Sequence, residues 1–391
     1  MFEIIDKEEQ GGHRDTVIKV IGIGGAGGNA VDHMIREGVN GVDFIAANTD
    51  SQALGRSVAL QRLQLGKTGL GAGAKPEAGR SAAEEERAAI AESLAGAHMV
   101  FITAGMGGGT GTGAAPIVAE VARELGVLTV AVVTKPFGFE GKRLKIAEAG
   151  IAELQKHVDS LIVILNDRLM DVLGDDVSMD DAFKAADNVL RNAVGGIAEI
   201  INFPGLVNVD FEDVRTVMGE MGMAMMGSAS AAGVDRARIA AERAVASPLL
   251  EGVNLSGAKG VLVNITATRS LKMKEVNEVM NTVRAFAADD AHIIFGAVYD
   301  ESIDEEIRVT VVATGLGQAQ AKRQSFEVIN TSATQATGTD GRFANGQSID
   351  YSSLDQTPAV FRKGRSATVE ALANSGVDRW DIPAFLRKQA D

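Results

Sequence analysis

The chain has 391 residues, of which 46% are apolar and 4% aromatic, with a formal net charge of −14 and no cysteine. This length suffices for two packed domains and a tail. The negative charge opposes non-specific binding to nucleic acid, and the lack of cysteine excludes disulfides, thiolate metal sites and cysteine nucleophiles. The N-terminal residues are polar, and no apolar run approaches the roughly 20 residues of a spanning helix, so we expect a cytoplasmic protein without direct membrane insertion.

The first half of the chain alternates apolar strands with helices. Residues 17–26 predict a buried strand that runs into a glycine-rich loop and then a helix. Further strands are predicted at 42–47, 99–104, 128–133 and 161–165, and further helices at 77–94 and from about residue 114. Near-continuous apolar strands that alternate with helices are typical of a parallel sheet covered on both faces.

The second half of the chain has a different order of predicted helices and strands. A long helix is predicted at 180–201. Beyond it, helices are predicted at 213–226 and 234–246, and strands at 260–266, 292–298 and 307–314. This order suggests a smaller α/β domain with a mixed sheet. From about residue 317 to 376, Gln, Ser, Thr, Gly and Asn dominate, and such a stretch buries too little apolar surface to offset its chain entropy. We therefore expect a disordered linker there.

Two glycine-rich loops each follow a predicted strand and precede a predicted helix. The first reads GIGGAG over residues 22–27, and the second reads GMGGGTGTG over residues 105–113. Glycines let the backbone approach a phosphate closely, successive N–H groups form an anion nest, and a helix N-terminus adds positive dipole. Both loops leave the carboxyl ends of strands, where ligands of open α/β sheets bind. The alternatives are a tight turn or a hinge without a ligand.

The last residues regain an apolar pattern after the linker. An aspartate can cap a short helix with proline in its first turn, and three apolar residues then share one face. Such an isolated stripe predicts a docking helix for a partner protein. The predicted partner-binding residues are Asp381, Ile382, Pro383, Phe385, Leu386 and Arg387.

Five ordered motifs resemble those of the tubulin/FtsZ family. Residues 107–113 match its GGGTGTG signature. Residues 25–29 resemble the first phosphate loop, 135–141 the ribose-side segment, 208–213 the synergy loop and 381–387 the C-terminal partner-binding peptide. The resemblance covers residues 17–317 and the tail. It implies a Rossmann-like parallel-sheet GTPase domain, joined by a long central helix to a smaller α/β domain with a mixed sheet, then a disordered linker and a tail peptide.

The domain boundaries follow from the composition and from this resemblance. We predict a flexible N-terminus at 1–16, a GTP-binding domain at 17–178 and a central helix at 179–202. A C-terminal α/β domain with the synergy loop is predicted at 203–317, a disordered linker at 318–377 and the partner-binding peptide at 378–391.

The resemblance also implies that the ligand is GTP, with Mg²⁺. The five histidines are scattered without metal-ligand spacing, so we predict no protein metal site. The glycine loops are expected to hold the phosphates, Glu140 and Arg143 to lie near the ribose and phosphates, and a carboxylate to accept from guanine N1–H and N2. The family has arginine where this chain has Leu144, so the contact of Arg143 stays open. The predicted GTP-binding residues are Gly24, Gly25, Ala26, Gly27, Gly28, Asn29, Gly107, Gly108, Gly109, Thr110, Gly111, Thr112, Glu140, Arg143, Asn166, Phe183 and Asp187.

The resemblance places the predicted catalytic residues, Asn208, Asp210 and Asp213, on the next subunit of a head-to-tail filament. Two carboxylates can position an attacking water, while Mg²⁺ offsets charge on the phosphates. Hydrolysis is then expected to require assembly, and a contact that does not close into a ring generates filaments. From the residues alone, capping of a helix near Phe211 by Asp210 is an equal alternative.

The family function implied is a filament ring at the bacterial division site, with the tail bound to membrane-tethering and regulatory division proteins. Two other functions remain open from the residues. The first loop and Asp50 would also suit a nicotinamide-dependent oxidoreductase, although no catalytic constellation accompanies them. The other is a structural filament that binds the nucleotide without hydrolysing it.

Overall fold

Ten strands form one continuous sheet, and helices cover both of its faces. The computed structural model describes residues 16–174, 176–202, 207, 209–219, 222–247, 258–288 and 291–316. The strands are β1 Ile18–Ile23, β2 Asp43–Asn48, β3 Gln61–Gln64, β4 Met99–Gly105, β5 Leu128–Lys135, β6 Ser160–Leu165, β7 Gly222–Ala231, β8 Gly260–Ala267, β9 His292–Tyr299 and β10 Ile307–Leu316. The helices are α1 Gly24–Arg36, α2 Ser51–Arg56, α3 Pro76–Glu85, α4 Arg87–Leu94, α5 Thr110–Glu124, α6 Lys142–Leu154, α7 Asn166–Leu173, α8 Met179–Asn202, α9 Phe211–Met218, α10 Arg236–Val245 and α11 Met273–Phe286.

The sheet has a parallel part and a mixed part. Its spatial order is β3-β2-β1-β4-β5-β6-β7-β10-β8-β9. Neighbouring strands from β3 to β7 are parallel, β10 is antiparallel to both β7 and β8, and β9 is parallel to β8. The two parts join where Ser160–Ile162 of β6 pairs with Gly222–Ala224 of β7. This arrangement confirms the predicted fold class.

The central helix α8 connects the two parts through the core. Its 24 residues bury a stripe that includes Ala186, Leu190 and Ala193, spaced three to four residues apart as on one helix face. This stripe belongs to a core cluster that also contains Ile162 from the parallel part and Leu262 from the mixed part. The apolar spacing of α8 thus explains why it packs against both parts of the sheet.

One helix prediction was wrong over half its length. The helix predicted at 213–226 ends at Met218, and strand β7 begins at Gly222. The strand sequence GMAMMGSASA holds small residues and methionine but no β-branched residue, so its composition does not favour a strand. Strand β7 forms because it pairs with β6 on one side and with β10 on the other, and this pairing overrides local propensity.

Other predicted bounds shift by smaller amounts. The helix predicted at 77–94 is two helices, α3 and α4, that meet at Glu86. The helix expected from about residue 114 begins at Thr110, inside the second glycine loop. None of the described helices combines the length and the apolarity needed to cross a lipid bilayer.

Candidate nucleotide site

Two adjoining cavities lie at the carboxyl ends of the parallel strands. The first, of about 280 Å³, is lined by the ends of β1, β4 and β5 and by the loops that follow them. The second, of about 670 Å³, shares Gly25, Gly73 and Thr110 with the first. Together they form one cleft at the sheet edge where open α/β folds bind ligands.

Some glycines of the cleft are required by close packing within the protein. A Cβ atom on Gly22 would lie 2.3 Å from the carbonyl oxygen of Gly27, and one on Gly109 would lie 2.2 Å from that of Gly73. Gly107 has a φ of +98°, a conformation that favours glycine. The first contact closes the first glycine loop on itself, and the second brings the second glycine loop against the 71–73 loop.

Other glycines face open space instead. A Cβ atom on Gly25 or Gly28 would meet no atom of the described residues within 4 Å, and one on Gly108 would lie 3.8 Å from Nη2 of Arg143. Packing within the protein therefore gives no reason for glycine at these three positions. A ligand that approaches the backbone closely supplies that reason.

Two long helices point their N-termini into the cleft. Within the described residues, neither α1 nor α5 has a side-chain cap or an acidic residue in its first turn. Their first N–H groups are thus left for another acceptor, and each N-terminus carries the positive end of a helix dipole. The residues that lie here are the predicted ones, Gly24, Gly25, Ala26, Gly27, Gly28, Asn29 and Gly107, Gly108, Gly109, Thr110, Gly111. Such an arrangement binds anions such as phosphate.

The threonines of the second loop have different surroundings. The Oγ1 atoms of Thr110 and Thr49 are 2.6 Å apart, and Thr110 lines both cavities. Thr112 is buried, and its Oγ1 accepts a hydrogen bond of 2.8 Å from the Gly107 N–H. Thr110 is therefore placed to meet a ligand, whereas Thr112 braces the loop.

The cleft suits a magnesium ion that arrives with a nucleotide. The described residues contain no group of three His, Cys, Asp or Glu side chains that could hold a metal ion. Mg²⁺ usually keeps several waters and binds through substrate phosphates with one or two protein oxygens. The hydroxyls of Thr49 and Thr110 offer such oxygens beside the helix N-termini.

Glu140 and Arg143 lie together at the rim of the cleft. Oε1 of Glu140 accepts a 3.0 Å hydrogen bond from the Phe137 N–H, and Oε2 accepts one from Nη1 of Arg143. Nε of Arg143 lies 3.5 Å from the Gly107 carbonyl oxygen. Arg143 thus reaches the second glycine loop, although the family arginine would fall at Leu144.

A slot for a planar ring opens beside Asn166. This residue begins α7, is 5% exposed, and its Oδ1 atom has no hydrogen-bond partner in the described part of the chain. Phe183 is 46% exposed and meets Phe137 edge-on at a centroid distance of 5.7 Å. A buried amide oxygen without a partner calls for a donor, and an exposed ring offers a stacking surface.

Asp187 lies one turn beyond Phe183 on α8 and is not among the residues that line the cleft. Burial raises the pKa of its carboxyl to about 6, although the nearby His33 acts in the opposite direction. His33 itself is held by a 2.8 Å hydrogen bond between its Nε2 and Oδ1 of Asn188. A carboxylate with this pKa is ionised at neutral pH and poorly hydrated, which favours strong pairing with hydrogen-bond donors.

Asp210 and Asp213 lie at the opposite edge of the sheet. Oδ1 of Asp210 accepts a 2.8 Å hydrogen bond from the Asp213 N–H and so caps α9, as the capping alternative predicts. Phe211 between them contacts His98, which directly precedes β4. The second glycine loop follows the other end of β4, a strand of seven residues. That length spans about 20 Å, so the two aspartates do not reach the cleft of their own subunit.

The remaining predicted residues lie outside the described part of the chain. These are Asn208 and the tail residues Asp381, Ile382, Pro383, Phe385, Leu386 and Arg387. Conversely, the cleft contains residues that were not predicted as ligand contacts. They include Thr49 and Thr134. Each follows or ends a strand of the parallel part, and this position is the signal that would have found them.

The fold and the cleft define a tubulin-like nucleotide-binding protein. The family model described as "Tubulin/FtsZ family, GTPase domain" matches residues 17–174, and the one described as "FtsZ family, C-terminal domain" matches residues 222–317. The chain belongs to the FtsZ family and is a GTPase. The predicted family membership is confirmed.

Individual relatives support the same assignment. The chain is 54% identical over 395 residues to "Cell division protein FtsZ" of Wigglesworthia glossinidia brevipalpis, with 100% of both chains covered. It is 54% identical over 402 residues to the protein of that name from Pseudomonas aeruginosa, again with 100% of both covered. The solved structure "FtsZ dimer, empty (M. jannaschii)" is 43% identical with a TM-score of 0.74, over 78% of this chain and 88% of that one.

A more distant structure shares the fold alone. "CetZ2 from Haloferax volcanii - GTPgS bound protofilament" is 20% identical with a TM-score of 0.65, over 78% of this chain and 94% of that chain. None of these comparisons supports the nicotinamide-dependent oxidoreductase. Asp50, the acid on which that alternative relied, instead caps α2 by accepting from the N–H groups of Gln52 and Ala53.

Proposed function

We propose that the chain polymerises head to tail and hydrolyses GTP at each junction, where acidic residues of one subunit complete the cleft of the next. One observation carries the proposal. The cleft lies at the carboxyl edge of the parallel strands, while Asp210 and Asp213 lie at the amino edge. Each subunit therefore carries two half-sites that cannot meet within it, but that meet when subunits stack in the same orientation.

The two half-sites have complementary chemistry. The N-termini of α1 and α5 and the open glycines bind and orient the phosphates through main-chain N–H groups. Asp210 and Asp213 of the adjoining subunit, with Asn208, orient a water molecule and accept its proton as it attacks the γ-phosphate. The bond between the γ-phosphorus and the β–γ bridging oxygen breaks, and GDP and inorganic phosphate are the products. The hydroxyls of Thr49 and Thr110 would hold Mg²⁺ together with the nucleotide, and the ion would offset negative charge on the phosphate oxygens.

The far end of the cleft selects guanine. The unpartnered Oδ1 of Asn166 accepts a hydrogen bond from the base, and Phe183 packs against its ring. Asp187 accepts from both N1–H and the N2 amine, a pair of donors that adenine lacks. Glu140 and Arg143 lie at the ribose and phosphate end, where the guanidinium is free to exchange Glu140 for a phosphate oxygen.

The filament is the working form of the protein. A contact between unlike surfaces that does not close into a ring adds subunits without limit. In the cytoplasm such filaments form the ring at the division site, and the tail peptide at 378–391 binds membrane-tethering and regulatory division proteins. The curated relatives are named "Cell division protein FtsZ", and that name supports a role in cell division.

The test is a complementation assay between two inactive variants. Asp213→Ala removes one acid and keeps the cleft, whereas Gly108→Val fills the cleft and keeps the acids; its side chain has room, since a Cβ there is 3.8 Å from the nearest atom. Each variant alone is expected to release almost no phosphate. Their mixture is expected to regain turnover, because a junction between one subunit of each kind contains an intact cleft and an intact acid pair.

Wild-type protein at increasing concentration provides the control. Its turnover per subunit is expected to rise steeply above the concentration at which light scattering reports assembly. Equal turnover per subunit in dilute, unassembled protein would contradict the shared site, and so would a mixture no more active than its components. Assembly without phosphate release would instead favour the non-hydrolysing filament.

A further inference from the structure

We propose that His98 is a positioning residue for hydrolysis, because its imidazole ring fixes the acidic end of α9 against the sheet that holds the nucleotide. The contact is with Phe211, the residue between Asp210 and Glu212. The inference rests on the proposed function, since it concerns the acids that complete the next subunit's site. His98 would act on that site through Phe211, without touching either the nucleotide or the attacking water.

The ring of His98 is held firmly by the parallel part of the sheet. Its backbone N–H donates to the Val17 carbonyl oxygen at 2.9 Å, and its own carbonyl oxygen accepts from the Leu128 N–H at 3.1 Å. The Val17 N–H donates back to Nδ1 of the imidazole at 3.0 Å. Because Nδ1 accepts this hydrogen bond, the neutral ring carries its proton on Nε2 and its orientation is fixed. His98 is therefore tied to the residues that begin β1 and β5.

The same ring meets the first turn of α9. The ring centroids of His98 and Phe211 are 6.1 Å apart, and the ring planes cross at 68°. This is the edge-to-face geometry that aromatic pairs prefer. Phe211 also packs against the core cluster that contains α8. The Phe211 side chain thus packs between the core and His98, and Asp210 and Asp213 lie in the same turn of the backbone.

The two ends of α9 are attached to different parts of the sheet. At its carboxyl end, Oγ1 of Thr314 in β10 donates to the Val217 carbonyl oxygen at 2.8 Å, which ties the helix to the mixed part. At its amino end, the Phe211 ring reaches His98 at the start of β4, in the parallel part. Glu212 and Arg215 pair only with each other, at 3.8 Å, among their described contacts. His98 is therefore the contact that ties the first turn of α9, which carries the acids, to the start of β4, in addition to the packing of α9 in the shared core.

This link matters because the acids must fit a site on another molecule. Misplacement of a catalytic group by about 1 Å can cost on the order of 100-fold in rate. Asp210 and Asp213 are joined by their own hydrogen bond of 2.8 Å, so a tilt of the first turn moves both together. Loss of the His98 contact is therefore expected to lower turnover in assembled filaments, while GTP binding in the distant cleft stays unchanged.

Two substitutions separate the functions of the imidazole. His98→Asn keeps an acceptor for the Val17 N–H but removes the ring, and His98→Phe keeps the ring but removes the acceptor. GTPase rate is measured against protein concentration, so that the slope gives turnover in the filament and the intercept gives the concentration needed for assembly. His98→Asn is expected to lower the slope roughly tenfold with little change in the intercept. His98→Phe is expected to lower it by less than about threefold, because the ring contact persists.

A double-variant comparison tests whether His98 acts through Phe211. Phe211→Leu keeps an apolar side chain but removes the ring, and it is expected to lower the slope as His98→Asn does. The combination of both changes is expected to be no worse than either alone, because they break one contact. His157→Ala is the matched control: it removes a histidine that precedes β6 at the same edge of the sheet, where its Nε2 lies 3.6 Å from Glu153. Its slope is expected to equal that of the wild type.

The outcomes separate this inference from the proposed function. A higher intercept with an unchanged slope in His98→Asn would overturn the inference, since His98 would then contact the neighbour only for assembly. Additive losses in the double variant, or a defect in His98→Phe as large as that in His98→Asn, would overturn it as well. The proposed function would survive all three results as long as the Asp213→Ala and Gly108→Val variants complement each other. If that complementation fails, the proposed function fails whatever the His98 variants do.

Discussion

Asp187 predicts a pH dependence of guanine-nucleotide binding in an unusual range. An ordinary aspartate stays ionised down to about pH 4, but burial raises the pKa of Asp187 to about 6. The proposed contact to guanine N1–H and N2 needs the ionised form, because only the carboxylate can accept both hydrogen bonds. Binding should therefore weaken as the pH falls through 6, two units above the usual range.

The size of the effect follows from the ionised fraction. With a pKa of about 6 in the empty protein, about nine-tenths of the molecules carry ionised Asp187 at pH 7 and about one-tenth at pH 5. The dissociation constant for GDP is thus expected to rise about tenfold over this interval. GDP is the ligand of choice because it shares the base and is not hydrolysed.

The assay is calorimetric titration with GDP at several pH values between 5 and 8. Asp187→Asn is expected to bind GDP weakly at every pH, without the steep loss near pH 6. The same variant should gain affinity for xanthosine diphosphate, whose C2 carbonyl accepts from an amide N–H where guanine would donate. An equally steep loss in Asp187→Asn, or constant affinity in the wild type down to pH 5, would refute the role of Asp187.

The stability of the nucleotide-free protein should depend on pH in the opposite direction. Since the folded-state pKa of Asp187 lies above the unfolded value, the folded state holds this proton more tightly. Its contribution to stability is fully present below about pH 4 and is lost as the pH rises through 6. The difference in unfolding free energy between the wild type and Asp187→Asn should therefore favour the wild type more at pH 4 than at pH 7.

Two further predictions use residues with contrasting surroundings. Gly108→Val should abolish GTP binding in an equilibrium titration without lowering the melting temperature. In Gly109→Ala the new Cβ would lie 2.2 Å from the Gly73 carbonyl oxygen, so denaturant unfolding should show a loss of stability of about 1–3 kcal/mol. Equal stability of both variants would contradict the packing argument. Asp210→Asn should keep the cap on the Asp213 N–H and the stability of the wild type but lose turnover, while Asp210→Ala should also cost about 1 kcal/mol. Full turnover in Asp210→Asn would reduce Asp210 to a helix cap.

The sequence predicted those parts of the fold that depend on local apolar patterns. The four central strands of the parallel part are almost completely buried, so they stand out as apolar runs. The ends of β4, β5 and β6 lie within two residues of their predicted bounds. Strand β7 was not predicted, because its small residues and methionines gain strand structure only from pairing with β6 and β10. Among the described strands, the short edge strand β3 has one neighbour, and it contains no apolar run, so its sequence gave no local signal.

The candidate site was predicted in a similarly uneven way. The glycine loops could be predicted because closely spaced glycines between a strand and a helix are a local sequence pattern of phosphate-binding loops. The roles of Asn166 and Asp187 came from the family resemblance, since their partners are far away along the chain. The contact between His98 and Phe211 joins residues more than a hundred positions apart, and no spacing rule would have found it.

The polarity of the filament follows from the polarity of the strands. Parallel strands place every carboxyl end at one edge, so the cleft faces one way, and α9 begins at the edge where those strands start. A two-fold dimer would bring cleft to cleft or acids to acids, because its two contact surfaces are identical. Both of its sites would then lack a half. In the proposed arrangement, only a stack of subunits in the same orientation completes each cleft. That stack leaves one cleft without a neighbour's acids at one end, and one pair of acids without a cleft at the other end. The two ends of the filament are therefore chemically different. A subunit that joins at the end with the open cleft supplies the acids that complete that cleft. A subunit that joins at the other end has its own cleft completed by the acids already there.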